Sequence, residues 1–147
     1  MKSKESLREL LFCIEMERRK LLKPYFDQIG LTQGQPRVLL CLSKKEHITQ
    51  KELANMCLLD EATVSRALDR LCSQEFVVRV PHPSCRRSYL ITLTDAGRQK
   101  ANQVLKLFAG MEKILLKGFS DEEAELFKNM AVQIIGNLEE NQGSIEI

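Results

Sequence analysis

The sequence predicts a mainly α-helical fold that contains one small β-hairpin. Apolar residues recur at three- and four-residue steps through most of the 147 residues, which is the spacing of one face of an α-helix. Between about residues 77 and 93 the spacing changes to every second residue, as is typical of strands. Ser, Thr or Asp stands at the predicted start of several helices, where its side chain can cap free backbone N–H groups.

The first predicted helix fills most of the N-terminal part of the chain. Its apolar residues keep helical spacing, Pro24 predicts a kink or a local break, and Gly30 is expected to cap its C-terminus. Thr32 and Gln35 then form a capping-box pattern before the next apolar run. We therefore expect a second helix from about residue 33 to residue 44.

Two short helices with a tight connection come next. Thr49 with Glu52 is another capping box, and it opens a helix that runs to about Cys57. Asp60 can cap the N-terminus of the following helix, which continues to about Leu71. This pair predicts a helix-turn-helix arrangement.

A β-hairpin is predicted directly after the helix pair. Its strands cover residues 77–80 and 89–93, and the loop between them carries two prolines and two adjacent arginines. A hairpin that follows a helix-turn-helix forms a winged helix, so residues 31–97 are predicted to fold as a winged helix-turn-helix domain. Long helices return over residues 98–141, where Ser120 with Glu123 is a third capping box. Residues 142–147 are expected to be a disordered tail.

The small net charge hides an uneven distribution along the chain. Lys and Arg total 22 against 20 Asp and Glu, which gives a net charge of +2. Residues 31–100 hold 11 basic and 7 acidic residues, whereas residues 101–147 hold 4 and 8. A basic centre is typical of a phosphate-binding surface, and chance scatter of charge is the alternative.

Several other classes of protein lack support in the sequence. The five cysteines are widely spaced, form no Cys-x-x-Cys pair and accompany only two histidines, so neither disulfides nor a metal site is predicted. The sequence has neither a phosphate-binding loop nor a nucleophile paired with a histidine, so an enzyme is not predicted. No cofactor is expected. Without a signal peptide or a long apolar run, the chain is predicted to be cytoplasmic and to have no membrane partner.

The second helix of the predicted pair has the composition of a recognition helix. Arg66 is the favoured base contact because it lies nearer the helix N-terminus, the end that usually enters the major groove of DNA. The start of the preceding helix can contact phosphates, and arginines at the hairpin loop suit a narrow minor groove. An ordinary solvated face and a solubilising loop tip are the alternatives. The candidate DNA-binding residues are Gln50, Lys51, Thr63, Ser65, Arg66, Arg70, Arg86 and Arg87.

The region from Leu31 to Gly97 resembles the MarR (multiple-antibiotic-resistance regulator) family of winged helix-turn-helix transcription factors. The resemblance rests on the segments LTQGQPRVLLCL, TQKELANMCLLDEATVSRALDRL and RRSYLITLTDAG. The family's wing signature is Asp-x-Arg, five residues and then Leu-Thr, and Arg87, Leu93 and Thr94 match it. The resemblance implies a homodimer, formed by N-terminal (1–30) and C-terminal (98–141) dimerisation helices, that binds a pseudo-palindromic site in double-stranded DNA.

Cys85 stands where the family's wing signature has aspartate. In the family that acid helps to hold a wing arginine, so its loss affects the expected wing geometry. The thiol lies beside Arg86 and Arg87, and nearby positive charge makes a cysteine more reactive. Cys85 is therefore a candidate redox sensor, with neutral variation in an exposed loop as the favoured alternative.

The resemblance further implies a repressor that is released from DNA by a small aromatic or phenolic effector. Peroxide-sensing and metal-sensing relatives use residue patterns that this sequence lacks. Two alternatives stay open: a repressor controlled by oxidation of Cys85, and a winged helix that binds protein without binding DNA. The residues that could line an effector site, or equally form surface or interface, are Arg18, Arg19, Tyr25 and Arg37.

Overall fold

A computed structural model describes residues 5–146, which form six helices and one two-stranded antiparallel sheet. The mainly α-helical fold with a β-hairpin is confirmed. Of the described residues, those up to Met111 form one compact unit, and those from Glu112 form a second. The elements are α1 (Leu7–Gln28), α2 (Gln35–Lys44), α3 (Gln50–Cys57), α4 (Glu61–Ser73), β1 (Val77–Pro81), β2 (Tyr89–Leu93), α5 (Asp95–Leu115) and α6 (Asp121–Glu140).

The core of the first unit lies between α2, α3, α4 and the hairpin. Leu39, Leu42 and Leu68 are completely buried there, and Val77 and Ile91 bring the two strands into the same cluster. Each of these elements turns one apolar face inward, so burial rather than intrinsic helix propensity holds the short helices in place. This packing fixes α4 against a rigid support.

Three of the predicted helix caps form as the sequence indicates. The side-chain oxygens of Thr49 and Asp60 accept hydrogen bonds from the backbone N–H groups three residues later, at 3.2 and 2.8 Å. Ser120 and Glu123 make a full reciprocal capping box at the start of α6. Each cap satisfies backbone N–H groups that the start of a helix leaves without a partner. Loss of such a cap lowers the free energy of unfolding by about 0.5–2 kcal/mol.

Two details of the N-terminal region differ from the sequence prediction. Helix α1 continues through Pro24 without a break and ends at Gln28. Ile29 is its C-cap, and Gly30 follows in the left-handed conformation (φ 76°). Helix α2 begins at Gln35 rather than at residue 33, because Thr32 and Gly34 belong to a turn in which the Gln35 N–H bonds to the Thr32 carbonyl oxygen. The Gln35 side chain nevertheless reaches back to the Thr32 N–H, as the capping-box pattern implied.

The hairpin is anchored to the helices by a short third segment. In the sheet Val77 pairs with Leu93 and Pro81 with Tyr89. Ile48, immediately before α3, bridges to Ile91 on the other edge of β2. The base of the hairpin is thereby tied to the start of α3, which limits how far the wing can move relative to the helix pair.

The described part of the chain contains no helix that is both long enough and apolar enough to cross a lipid bilayer. The residues 1–4 and Ile147, which belong to the predicted N-terminal helix segment and C-terminal tail, lie outside the described residues.

Gly97, in the first turn of α5, allows the closest backbone approach in this region. A Cβ atom added there would collide with the carbonyl oxygen of Phe76 and lie 2.8 Å from its carbonyl carbon. That carbonyl also accepts a hydrogen bond from Thr94, so it has little freedom to move. Gly97→Ala is expected to lower the free energy of unfolding by about 1–3 kcal/mol, measured by urea denaturation, because overpacking strains a fixed backbone.

Gly110 provides a matched control on the same helix. A Cβ atom added there would meet no atom within 4 Å. Gly110→Ala is expected to stabilise the protein by about 0.5–1 kcal/mol, because alanine loses less backbone entropy than glycine in a helix. A similar loss of stability in both variants would contradict the steric explanation.

Leu58, at the turn between α3 and α4, holds a conformation that leucine rarely adopts. Its φ is 55° and its ψ is 38°, and its side chain is 84% exposed. Left-handed geometry costs an L-residue about 1–2 kcal/mol, whereas asparagine tolerates it. Leu58→Asn is therefore expected to raise the free energy of unfolding by about 0.5–1 kcal/mol, whereas Leu58→Ala retains the strain. Equal midpoints for the two variants in urea would show that the backbone conformation is not the cause.

Candidate nucleic-acid interface

Helix α4 has the two faces that a recognition helix requires. Val64, Ala67, Leu68 and Leu71 are buried against the core. Its opposite side exposes Arg66 and leaves shorter polar side chains half-buried beside it. An apolar face fixes such a helix, so that the other face can present a defined set of side chains to base edges and phosphates.

The first two turns of α4 carry a chain of polar contacts. Thr63 donates its hydroxyl to one carboxylate oxygen of Asp60 at 2.8 Å, while its backbone N–H donates to the other. These hydrogen bonds hold the pKa of Asp60 below its usual value. The Arg66 guanidinium lies 3.4 Å from the Thr63 hydroxyl oxygen and is otherwise exposed. Asp60 thus occupies the Thr63 hydroxyl and orders the helix start, while Arg66 keeps donors free for DNA.

Arg70 is positioned differently from Arg66, although the sequence predicts that both contact DNA. Its guanidinium donates to the Thr32 hydroxyl oxygen at 2.7 Å, across 38 residues of sequence. The side chains of Arg70 and Thr32 line an open cleft of about 330 Å³ between the turn before α2 and the last turns of α4. The structure therefore gives Arg70 a contact within the protein, and Ser65 is a half-buried neighbour of Arg66.

Three of the predicted DNA-binding residues meet in a second cleft. Gln50 and Lys51 at the start of α3 face Arg87 of the hairpin loop across a space of about 220 Å³. Arg79 of β1 lines the same cleft and adds a third cation. A concave surface with three cations beside a helix N-terminus is suited to a phosphate oxygen.

Arg79 is a functional candidate that the sequence analysis did not single out. It donates to a carboxylate oxygen of Asp69 on α4 at 3.0 Å, and so links the base of the wing to the recognition helix. The sequence pattern could have indicated this role. Side chains alternate between the two faces of a strand, so Arg79 lies on the same face as the buried Val77. A cation at an inward position of a small hairpin indicates a partner on the neighbouring helix.

The tip of the hairpin is fully open to solvent. Arg86, Arg87 and Cys85 are all exposed there, between the two strands. Cys41 and Cys57 are buried, and burial together with the nearby Cys41 thiol raises the pKa of Cys57 to about 12. Of the five cysteines, all within the described residues, only Cys85 is exposed.

The predicted effector-binding residues lie on α1 and in the first turn of α2. Arg18 and Arg19 both bind Glu15, whose pKa falls to about 2 chiefly through the Arg18 hydrogen bond. Tyr25 is exposed on α1. Arg37 donates to the carbonyl oxygen of Cys57 at 3.0 Å and caps the C-terminal end of α3. None of the four lines either of the two clefts.

Together, the helix pair, the wing and the cations between them define a winged helix-turn-helix DNA-binding protein. Comparison with known proteins agrees with this class. The family model described as MarR family matches residues 31–89. The chain belongs to the MarR family of DNA-binding transcriptional regulators, and it is not an enzyme.

Individual relatives match most of the chain. It is 30% identical over 130 residues to the HTH-type transcriptional repressor YetL of Bacillus subtilis, covering 87% of this chain and 75% of the relative. It is 28% identical over 133 residues to the multiple antibiotic resistance protein MarR of Escherichia coli, covering 90% and 85%. A crystal structure of a mutant MarR from E. coli complexed with operator DNA superposes with a TM-score of 0.78 at 26% identity, covering 87% of this chain and 92% of that one.

Family membership also decides between two of the sequence-based hypotheses. It favours a regulator that binds DNA over a winged helix that binds only protein.

Proposed function

We propose that this protein is a cytoplasmic, homodimeric repressor that binds a two-fold-related operator in double-stranded DNA and is released by a small-molecule effector. The observation that carries the DNA-binding part is the placement of Arg66 on the exposed face of α4, with the Lys51, Arg79 and Arg87 cleft beside it. In this arrangement Arg66 and Ser65 contact bases, and the cleft binds phosphate.

The remaining predicted contacts have narrower roles in this proposal. Arg86 at the wing tip enters the adjacent minor groove, where negative potential is strongest when the groove is narrow. Gln50 and the Thr63 side chain complete the polar surface around the phosphates. Arg70 reaches DNA only if it gives up its hydrogen bond to Thr32, so we assign it the weakest contact.

Exposed apolar side chains support the homodimer. On one face of α1 the side chains of Leu7, Leu11 and Ile14 are 59, 48 and 47% exposed, and on one face of α6 those of Phe127 and Leu138 are 56 and 63% exposed. Scattered apolar residues are normal on a surface, but whole helix faces of this kind mark an interface. A second copy of the chain would cover them, and two-fold symmetry would present two recognition helices to one duplex.

The proposal of repression and of release by an effector rests on the relatives. YetL is named a transcriptional repressor, and the E. coli MarR mutant was crystallised with operator DNA. A ligand that binds one arrangement of the two recognition helices better than another would shift their spacing and release DNA. Arg18, Arg19, Tyr25 and Arg37 stay the candidate effector contacts, for a small aromatic or phenolic compound.

The experiment that tests the proposal measures assembly and DNA binding together. Sedimentation equilibrium is expected to give twice the 16.9 kDa chain mass. Fluorescence anisotropy with a duplex that contains the selected operator is expected to show an affinity that falls steeply with salt, because phosphate binding releases counterions. A monomer, or a dimer that ignores duplex DNA at low salt, would contradict the proposal.

Oxidation of Cys85 is the alternative form of control, and its exposure on the wing favours testing it. Peroxide would oxidise the thiol to a sulfenic acid and release water, adding a polar group at the DNA interface. If Cys85 is the switch, peroxide lowers operator affinity of the wild type but not of Cys85→Ser. Equal loss of binding in both proteins excludes Cys85, and the retained binding of both leaves the effector as the trigger.

A further inference from the structure

Gln35 is a polar side chain inside the core of the winged helix. It is only 1% exposed, among aliphatic neighbours in the first turn of α2. Its carbonyl oxygen accepts hydrogen bonds from the Thr32 N–H at 2.7 Å and from the Thr32 hydroxyl at 3.1 Å. Its amide nitrogen donates to the Gln74 carbonyl oxygen at 2.7 Å.

Gln74 continues this line of hydrogen bonds to the end of α1. It is the residue that ends the recognition helix α4, and its amide nitrogen donates to the Gly30 carbonyl oxygen at 2.9 Å. Arg70, one turn earlier on α4, donates to the Thr32 hydroxyl oxygen. Two points of α4 are therefore held by the short segment that joins α1 to α2.

The direction of each bond in this network is fixed. Each glutamine uses its carbonyl oxygen as an acceptor and its amide nitrogen as a donor, so neither can rotate without losing a partner. A buried amide costs free energy unless it is satisfied, and an apolar pair could fill the same space without that requirement. What the amides add to packing is a defined angle between the segment after α1 and the last turn of α4.

We propose that Gln35 and Gln74 are positioning residues that set the orientation of the recognition helix relative to α1, and thereby the half-site spacing that the dimer accepts. The inference rests on the proposed function, because α1 must belong to the dimer interface for its end to define a distance between two recognition helices. A looser connection would let the winged-helix core, with α4 packed firmly inside it, turn relative to α1.

The consequence for DNA is selective. Adding one base pair between half-sites moves the second half-site by about 3.4 Å and rotates it around the helix axis. A dimer with fixed recognition helices loses contacts on such a site, whereas a dimer with loosened helices adapts to it. The two glutamines therefore control discrimination between spacings more than affinity for one half-site.

The test uses duplexes built on the operator that the wild type selects, with the central spacer unchanged, shortened or lengthened by one base pair. Gln74→Met and the double variant Gln35→Met/Gln74→Met are compared with the wild type by fluorescence anisotropy and urea denaturation. Gln33→Met, at an exposed glutamine in the segment between α1 and α2, is the matched control. The ratio of Kd on the altered spacers to Kd on the selected spacer is expected to fall about tenfold in both variants, because both lose the two hydrogen bonds that Gln74 makes to Gln35 and Gly30.

Stability separates positioning from mere support of the fold. Gln74→Met leaves the buried Gln35 amide nitrogen unpaired, so it is expected to unfold at lower urea than the double variant. The double variant leaves no buried amide unpaired, and the Thr32 groups that lose the Gln35 oxygen belong to an exposed residue and can bond to water. Spacing discrimination is expected to stay relaxed in the double variant although its stability recovers. A double variant that keeps the wild-type spacing ratio overturns the inference. A wild type that shows no preference for paired half-sites overturns the proposed function, and the inference with it.

Discussion

Arg66→Ala is expected to remove most of the protein's ability to tell its operator from unrelated DNA. Arg66 is the exposed cation in the first two turns of α4, and its guanidinium makes only a long contact with Thr63. A bidentate arginine–guanine contact provides about 1–3 kcal/mol of discrimination, and a dimer makes it in each half-site. Anisotropy titrations with the selected operator and a scrambled duplex of equal length measure the ratio directly.

Lys51→Ala is the matched control for the loss of a cation. Lys51 lines the cleft between α3 and the wing, where the expected partner is a phosphate. Its loss should weaken binding to both duplexes by a similar factor and reduce the salt dependence, because fewer counterions are released. An Arg66→Ala protein that keeps its full operator preference would show that the recognition face has been assigned wrongly.

A charge in the apolar face of α6 is expected to have the second large effect, on assembly. Phe127 is 56% exposed on a helix in which none of the described residues is buried. If a second chain covers this face, Phe127→Asp places an unpaired carboxylate in the interface and leaves a monomer. Because the dimer binds two linked half-sites, operator affinity should fall by about 10²–10⁴.

Asn129→Asp adds the same charge to the same helix about half a turn away. Asn129 is exposed, and its position lies on the opposite side of α6 from Phe127. This control should stay dimeric in sedimentation velocity and bind the operator as the wild type does. If Phe127→Asp also stays dimeric with full affinity, α6 does not form the interface.

Local signals in the sequence predict much of the fold. Thr49, Asp60 and Ser120 cap the helices that they were expected to cap, because an N-cap acts on backbone groups only three residues away. The change to a two-residue period locates both strands within one residue. The start of α2 was misplaced, because Thr32 bonds its neighbours in a turn before the helix instead of capping it.

The parts of the interface that could not be predicted depend on contacts between distant residues. Arg66 and Arg70 are both arginines on the polar side of α4, so the sequence predicts the same role for both. In the structure Arg70 donates to Thr32, 38 residues away, whereas Arg66 contacts Thr63 on its own helix. The hydrogen bond from Arg37 to the Cys57 carbonyl oxygen of α3, 20 residues downstream, also left no signal in the sequence. The buried Gln35 donates to Gln74, 39 residues away. Such pairings depend on tertiary geometry, so residue spacing carries no record of them.

Selection of binding sites from random duplex DNA by the purified 147-residue protein tests the central claim most directly. The account predicts that the recovered sequences share a two-fold-related motif whose half-site centres lie about one helical turn apart, at roughly 34–36 Å. Recovery of random sequences, or of a single unpaired half-site, would contradict a dimer that reads DNA through two copies of α4.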